Sequence, residues 1–150
     1  SDPTKVKDRL CGLGRLGQKA GAGFYDYDDR RRPTPASIVS DLMTECAQAQ
    51  GIAQRSISDE EILDRCVLPM INEGAKILAE GIALRASDID VCYVYGYGWP
   101  IYRGGPMHYA NSLGLDVVLA KVRHYHKVTG DDFWEPSQML VSLAEQGKHF

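Results

Sequence analysis

The sequence predicts an all-α fold, and three observations lead to this prediction. Apolar residues recur at spacings of three and four along most of the chain, which is the helical period. Capping residues, prolines and glycines stand where such helices would begin and end. No segment shows the sustained apolar–polar alternation that is typical of half-buried strands. We therefore expect a long proline-containing helix packed with several shorter helices.

The long helix is predicted to begin at Ser58 and to end at Gly81. Ser58 is a suitable N-cap, and Glu61 three residues later completes a capping-box pattern. Pro69 lies inside the helix, and because it removes one intrahelical hydrogen bond we expect a bend there. Glycine is common directly after the last helical turn. The predicted apolar face consists of Leu63, Val67, Met70, Ile71, Gly74, Ala75 and Leu78.

A second helix and a tight corner are predicted after the long helix. Ser87 is expected to cap the second helix, and Asp88 and Asp90 add negative charge to its first turn, which suits the helix dipole. The helix should stop at residues 96–98, which read Gly-Tyr-Gly. After the corner, Pro106 is well suited to be the first residue of the next helix.

Further helices are predicted on both sides of this central region. Asp2 and Pro3 are expected to be the cap and first residue of a short N-terminal helix. The last helix is expected to start at Pro136. The helices between are predicted at residues 36–50, 107–113 and 115–128.

Residues 12–23 contain five glycines and raise the question of a phosphate-binding loop. A dinucleotide-binding loop needs a strand before the glycines and a helix after them. Here a short predicted helix precedes the glycines, and the extended aromatic residues 24–27 follow them. We therefore favour a structural role, in which the glycines let the chain turn.

The ordered motifs in the central region resemble the C-terminal helical domain of L-3-hydroxyacyl-CoA dehydrogenases. The form WPIYRGGPMHYA is most similar to the last domain of the multifunctional fatty-acid β-oxidation enzymes. The resemblance implies an all-α, dehydrogenase C-terminal-domain-like fold. It also implies a parent enzyme that oxidises (3S)-3-hydroxyacyl-CoA to 3-oxoacyl-CoA with NAD. The motif residues are Arg65, Pro69, Glu73, Gly74, Ala75, residues 80–83, 88–90, Gly96, Gly98, Pro100, residues 104–106 and 114–116.

The same resemblance implies how the chain is divided, although 150 residues is the length of a single domain. The stretch GRLGQKAGAGFY resembles the end of such a helical domain, yet here it comes first. Residues 10–17 and 140–147 share two leucines and a glycine at equal spacing, which is a weak internal repeat. We expect residues 1–29 to be the tail of a preceding helical repeat, 30–35 a linker and 36–150 the C-terminal helical domain. The upstream Rossmann domain and most of the first repeat would then lie outside this chain.

The resemblance assigns this chain no catalytic, cofactor-binding or metal-binding residue. In the family, the catalytic His-Glu pair belongs to the dinucleotide-binding domain, which would also hold NAD. The family's first helical repeat contributes an asparagine directly before the arginine of the motif, and Asp64 stands at that position here. An ionised aspartate cannot donate the hydrogen bond that an asparagine can. We therefore expect this repeat to be a degenerate partner of the catalytic one.

Arg103, Gly104 and Gly105 are the surface candidates for ligand binding. A cation beside bare glycine backbone at the start of a helix can hold an anion. Pro106 removes one of the amides that an anion would use. We therefore favour close helix packing at the glycines, with Arg103 paired to an acidic residue.

Other polar residues have structural explanations that we prefer. Glu73 is expected to be partly buried, and either paired with Arg65 or Arg103 or bonded to a backbone amide, because a buried carboxylate needs a partner. His124 and His126 are two residues apart and cannot share a helical face, so exposed or capping roles are expected. The three arginines of residues 30–32 can contact coenzyme A phosphates, but a solvated connector balanced by neighbouring acids is preferred.

Composition excludes several classes of function. The net charge of −3 argues against a nucleic-acid-binding module, and no apolar run reaches the roughly 18 residues of a membrane span.

Four scattered cysteines indicate reduced, buried thiols, with Cys66 and Cys92 on apolar helix faces. The last four residues, GKHF, differ from an S-K-L-type signal. The resemblance to the dehydrogenase family implies a bacterial, cytoplasmic parent.

Three functions are compatible with these observations. The first is the structural, dimerisation-like helical domain of a 3-hydroxyacyl-CoA dehydrogenase, inactive by itself, which reaches the acyl-CoA substrate only through its parent. The second is a free-standing helical binding or interaction module without catalytic activity. The third is a small autonomous enzyme that uses Glu73 or His108.

Overall fold

The computed structural model describes residue 2 and residues 4–150. Within this part the chain is mainly helical, with one short antiparallel hairpin, so the predicted all-α class is confirmed. Three short 3-10 turns lie at Gln18–Ala20, Ile101–Arg103 and Asp132–Trp134. The helices are α1 (Val6–Gly12), α2 (Ser37–Ala49), α3 (Asp59–Ala79), α4 (Ala86–Gly96), α5 (Pro106–Leu113), α6 (Leu115–Thr129) and α7 (Gln138–Glu145), and the strands are β1 (Tyr25–Tyr27) and β2 (Pro33–Pro35).

Two compact units make up the chain, Ser1–Ser56 and Ile57–Phe150. This division differs from the expected start of the second domain at residue 36. Helix α2 belongs to the first unit because its apolar face packs with that of α1. The buried residues of this small core are Leu10, Ala36, Val39 and Leu42. The assignment of residues 1–29 to a preceding repeat stays a prediction.

The predicted linker of residues 30–35 is the turn and second strand of a hairpin. Strand β2 pairs antiparallel with β1, with Tyr25 opposite Pro35. The Asp28 carboxylate closes the turn by accepting hydrogen bonds from the backbone amides of Arg30 and Arg32, both at 2.9 Å. It also forms an ion pair with the Arg32 guanidinium at 2.7 Å. The hydrogen bonds from Arg32, its backbone amide first, and that from Arg30 lower the pKa of Asp28. The extended prediction was correct for Pro33–Pro35, which form β2, and wrong for the three arginines, because the Asp28 carboxylate holds them in a turn.

At the N-terminus, α1 begins at Val6 with Lys5 as its N-cap. Asp2 instead accepts hydrogen bonds from the amide and hydroxyl of Thr4. The expected cap position of Asp2 was therefore wrong, and Pro3 lies outside the described residues.

Helix α3 is the centre of the second unit. It begins as predicted, since the Ser58 hydroxyl accepts a hydrogen bond from the Glu61 amide at 3.2 Å. It continues through Pro69 to Ala79, and Gly81 follows in a left-handed conformation with φ +71°. Helices α5, α6 and α7 pack against it. The buried core consists of Val67, Leu68, Ile71, Ala75, Ala110, Leu115, Val118, Leu119, Val122, Tyr125, Trp134 and Leu140.

Several predicted details of the second unit differ from the structure. Helix α4 is capped by Arg85, whose backbone amide donates to Asp88 at 3.1 Å, and not by Ser87. Helix α7 begins at Gln138, two residues later than predicted. The thiols of Cys11, Cys66 and Cys92 are exposed, so the expectation of buried cysteines was wrong for these three and correct for Cys46. Helical spacing alone cannot tell which apolar residues find a neighbouring helix.

One buried polar side chain joins α3 to the segment before α7. The Asn72 amide nitrogen donates to the carbonyl of Glu135 at 2.8 Å. The Asn72 oxygen accepts from the backbone amide of Ser137, also at 2.8 Å. Asn72 is only 3% exposed, so these backbone groups depend on it for their hydrogen bonds.

Within residue 2 and residues 4–150, no helix has both the length and the apolar character needed to cross a membrane.

We predict that Asn72→Ala lowers the free energy of unfolding of the second unit by about 2–3 kcal/mol, because two backbone groups lose their partners in a buried site. Tryptophan fluorescence during urea unfolding measures this, since Trp99 and Trp134 both belong to that unit. Asn111→Ala is the matched control. Asn111 makes one half-buried bond, to the Phe150 amide, and its loss should cost about 1 kcal/mol. Equal losses in the two variants would contradict the assigned role of Asn72.

Candidate functional site

Asp64, for which the resemblance implied an asparagine, lies in a cluster between α3 and α6. Both of its carboxylate oxygens accept hydrogen bonds from the Lys121 ammonium, at 3.0 and 2.9 Å. The Tyr125 hydroxyl donates to the same carboxylate at 3.3 Å. The Asp64 side chain is 15% exposed. Both oxygens of this carboxylate are therefore committed to residues of its own domain.

Further contacts hold the Asp64 cluster in place. Glu60, which is largely exposed, gives Lys121 a second carboxylate partner at 2.9 Å. The Arg65 guanidinium lies over the Tyr125 ring, 5.2 Å from its centre. On the core side the Tyr125 ring packs against Trp134, with ring centres 4.9 Å apart. The cluster thus ties the start of α3 to α6 by charge and by aromatic packing.

The electrostatics of the cluster favour the charged lysine and the neutral tyrosine. The side-chain hydrogen bonds to Asp64 and Glu60 raise the pKa of Lys121. Burial, together with the nearby Asp64 charge, raises the pKa of Tyr125. A lysine held in its charged form is a poor base at neutral pH, so the arrangement suits an ion pair better than proton transfer.

A surface cavity of about 450 Å³ opens beside the Asp64 cluster. His124 is in its lining but is exposed, as predicted. Among the described residues, no group of three histidine, cysteine, aspartate or glutamate side chains is arranged to hold a metal ion. The lining consists of Ser58, Glu60, Glu61, Asp64, Ala120, Lys121, His124 and Tyr125.

The corner before α5 contains the surface candidates. Asp90 of α4 accepts hydrogen bonds from the backbone amides of Met107 and His108, at 2.8 and 3.1 Å. The chain's own carboxylate thus occupies the start of α5, where a bound anion would be stabilised by the helix dipole. Burial raises the pKa of Asp90, while these two hydrogen bonds act in the opposite direction.

Gly105 makes this contact between α4 and α5 sterically possible. Its φ of +96° is unfavourable for other residues, and a Cβ at this position would lie 2.6 Å from the Asp90 Cα. At Gly104 a Cβ would meet the His108 ring at 2.5 Å. The structure therefore agrees with the expectation that the two glycines permit close packing.

The expected partners of two charged residues were wrong. Arg103 was expected to pair with an acid, but its guanidinium lies over the rings of Tyr102 and Tyr109, 5.5 and 5.9 Å from their centres. Glu73 was expected to be partly buried, and either paired with an arginine or bonded to a backbone amide. It is exposed and lies 3.7 Å from Lys76, one turn along α3. Pairing within one helix satisfies such a residue without burial.

An aromatic groove of about 330 Å³ adjoins Arg103, and we name it the Arg103 groove. Sequence reasoning missed this feature. Its available signal was the density of tyrosine and tryptophan in residues 93–109, which helical periodicity does not report. Its lining residues are Leu63, Val67, Trp99, Pro100, Tyr102, Arg103 and Tyr109.

The glycine-rich segment of the first unit does not have the geometry of a dinucleotide site. It follows α1 and leads into the 3-10 turn Gln18–Ala20 and then β1. A strand before the glycines and a long helix after them are needed to present backbone amides to a pyrophosphate. Instead, Gly17 and Ala22 form a β-bridge, and Arg15 donates to the Gly23 carbonyl at 2.8 Å. These residues therefore do not fit NAD.

The fold and the contacts of Asp64 define the class of protein. It is an all-α domain in which a polar cluster connects two helices of the domain itself. Comparison with known families is more specific. The model of the family described as 3-hydroxyacyl-CoA dehydrogenase, C-terminal domain, matches residues 62–149. The chain belongs to this family, and the resemblance stated from its motifs is confirmed.

Similar proteins are much longer than this chain. The human peroxisomal bifunctional enzyme is 45% identical over 145 residues, which cover 95% of this chain and 20% of that protein. The Brassica napus glyoxysomal fatty acid beta-oxidation multifunctional protein MFP-a is 32% identical over 137 residues, covering 89% of this chain and 19% of that protein. The chain thus spans about a fifth of the length of these relatives.

A solved structure is also similar. The dehydrogenase part of multifunctional enzyme 1 from C. elegans superimposes with a TM-score of 0.70 at 26% identity, covering 95% of this chain and 33% of that one. The expected bacterial, cytoplasmic parent was wrong, because the similar proteins are named as peroxisomal or glyoxysomal enzymes of eukaryotes.

We predict that Lys121→Met destabilises the second unit by about 1–2 kcal/mol near neutral pH, between the values for exposed and buried ion pairs. Because the folded-state pKa of Lys121 is raised above 10.5, its contribution is complete below that pH and is lost as pH rises through the folded pKa. The difference from wild type should therefore be constant from about pH 7 to about pH 9.5 and shrink above that range.

Urea unfolding followed by tryptophan fluorescence at each pH measures this difference. Tyr125→Phe is the matched control, since it removes one neutral donor and leaves the lysine–aspartate pair. A difference between wild type and Lys121→Met that grows with pH would contradict the ion-pair assignment.

Proposed function

We propose that this chain is part of an NAD-dependent 3-hydroxyacyl-CoA dehydrogenase of fatty-acid β-oxidation. The parent would oxidise (3S)-3-hydroxyacyl-CoA to 3-oxoacyl-CoA. The observation that carries this proposal is the family match over residues 62–149. Support comes from relatives named as bifunctional and multifunctional enzymes. Their names also favour a peroxisomal, eukaryotic parent.

In this proposal the helical domain supports the catalytic parts without taking part in chemistry. It would pack on the preceding helical repeat of the parent and keep the substrate cleft in shape. Residues 1–29 would be the tail of that repeat. The Rossmann domain upstream would hold NAD and the reacting groups, in agreement with the unsuitable geometry of the glycine-rich segment described above.

The contacts of Asp64 support this division of labour. A residue that binds substrate needs a hydrogen-bonding group that is directed at the substrate. The Asp64 oxygens face Lys121 and Tyr125 instead. Asp64 therefore stabilises this repeat and replaces a group that would act on a ligand.

We predict that Asp64→Ala in the full-length parent changes kcat and KM for a 3-hydroxyacyl-CoA by less than about threefold, while lowering its thermal stability. Loss of a group that takes part in proton transfer typically costs about 10²–10⁴-fold in rate. NADH absorbance measures the reaction. Lys121→Met is the matched control, because it breaks the same ion pair from the other side and should give the same pattern. A hundredfold loss of kcat in Asp64→Ala alone would show a catalytic role.

For the isolated chain we predict no binding of NADH or acetoacetyl-CoA by calorimetry, and no NADH oxidation in the same samples. Both ligands would require the upstream domain. Tight NADH binding would contradict the proposal and make residues 12–23 a candidate nucleotide loop again. The free-standing interaction module makes a different prediction, because its full-length protein would lack dehydrogenase activity altogether.

A further inference from the structure

We infer that the Arg103 groove binds a protein segment that presents a carboxylate beside apolar side chains. Such binding is independent of the parent's chemistry, because the reasons for it lie in the groove itself. They are a cation without a carboxylate partner and an exposed aromatic rim, and a buried indole donor in the lining reports on the site.

The cation is Arg103. Within the described part of the chain, no carboxylate forms an ion pair with it, and its guanidinium is stacked on Tyr102 and Tyr109. Stacking holds the plane of the guanidinium while its edge can still donate to a carboxylate. The groove lining contains no acidic residue. An anionic partner is therefore favoured at this position, and a cationic one is disfavoured.

The donor is the indole nitrogen of Trp99. It is buried and has no hydrogen-bond partner among the described residues. The ring is fixed by edge contacts with Tyr93 and Tyr109, with ring centres 6.2 Å away in each case. This nitrogen is closed off from solvent, so it does not contact the bound segment, but the Trp99 ring belongs to the lining and its N–H signal reports changes at the groove.

The rim gives the site the composition of a protein interface. Tyr102 is 80% exposed and Leu63 is 52% exposed. Tyrosine, tryptophan and arginine are the residues most enriched at interface hot spots. Exposed aromatic surface also extends beyond the groove to Tyr97, because its ring contacts Tyr93, which in turn contacts Trp99. A polypeptide segment can cover this extended surface, whereas a small anion would cover only Arg103.

The test uses arrays of capped pentapeptides with glutamate at the centre and mixed leucine, phenylalanine, tyrosine, alanine and serine around it. Matched arrays carry glutamine at the centre. Binding of the fluorescently labelled 150-residue chain is measured on both, and the best peptides are titrated while the Trp99 indole N–H resonance is followed by NMR. Only two indole signals exist, from Trp99 and Trp134, so the assignment is simple.

We expect glutamate peptides to bind about tenfold more tightly than their glutamine counterparts and to shift the Trp99 indole signal. Arg103→Gln should abolish this preference. Arg123→Gln is the matched control, since it removes an exposed arginine of the same unit and should leave the preference intact.

Three outcomes would overturn the inference. Equal binding of the two peptide classes, or no binding to either, would show that Arg103 does not select a carboxylate segment. The same indole shift with octanoate alone would indicate a small amphipathic anion. A concentration-dependent indole shift of the chain without peptide would indicate that a second copy occupies the groove.

Discussion

The burial of α3 is the constraint on which the second unit depends. Ile71 and Ala75 are fully buried, and Leu68 is 1% exposed, among side chains from α5, α6 and α7. Burial of one large aliphatic side chain contributes about 1.5–3 kcal/mol. A helix surrounded on several sides fixes the positions of its neighbours, because close packing leaves few alternative arrangements. The polar contacts of the unit act within this frame.

Those polar contacts extend from α3 at two levels. Near its start, Asp64 reaches α6 through Lys121. Further along α3, Asn72 forms hydrogen bonds with the segment that leads into α7. Both side chains bond to partners inside the domain in place of water. Binding a ligand through either of them would cost the free energy of breaking those bonds.

Charge is distributed unevenly around the α4–α5 corner. Asp90 neutralises the start of α5 from within, while Arg103 a few residues away stacks on tyrosines. The backbone amides that could have bound an anion at this corner therefore already donate to Asp90. The Arg103 guanidinium, in contrast, faces solvent beside aromatic rings. An acidic protein partner and an internal helix cap then use two different parts of the same corner.

Sequence by itself determined the all-helical class, the position of α3 from its cap at Ser58 to Gly81, and the family, because these depend on local periodicity, capping chemistry and ordered motifs. It also indicated that Asp64 departs from the family's asparagine.

Only the tertiary structure decided which partners the charged residues take. Lys121 lies 57 positions from Asp64 in the sequence, and Asp90 accepts hydrogen bonds from the start of α5 across the corner. No rule based on residue spacing predicts either contact. The sequence indicated that residues 24–27 are extended, but not that they pair with Pro33–Pro35. That pairing was missed because Asp28 organises the turn through hydrogen bonds that composition does not reveal. Local rules specify helices, whereas the contacts between them depend on how the whole apolar surface is buried.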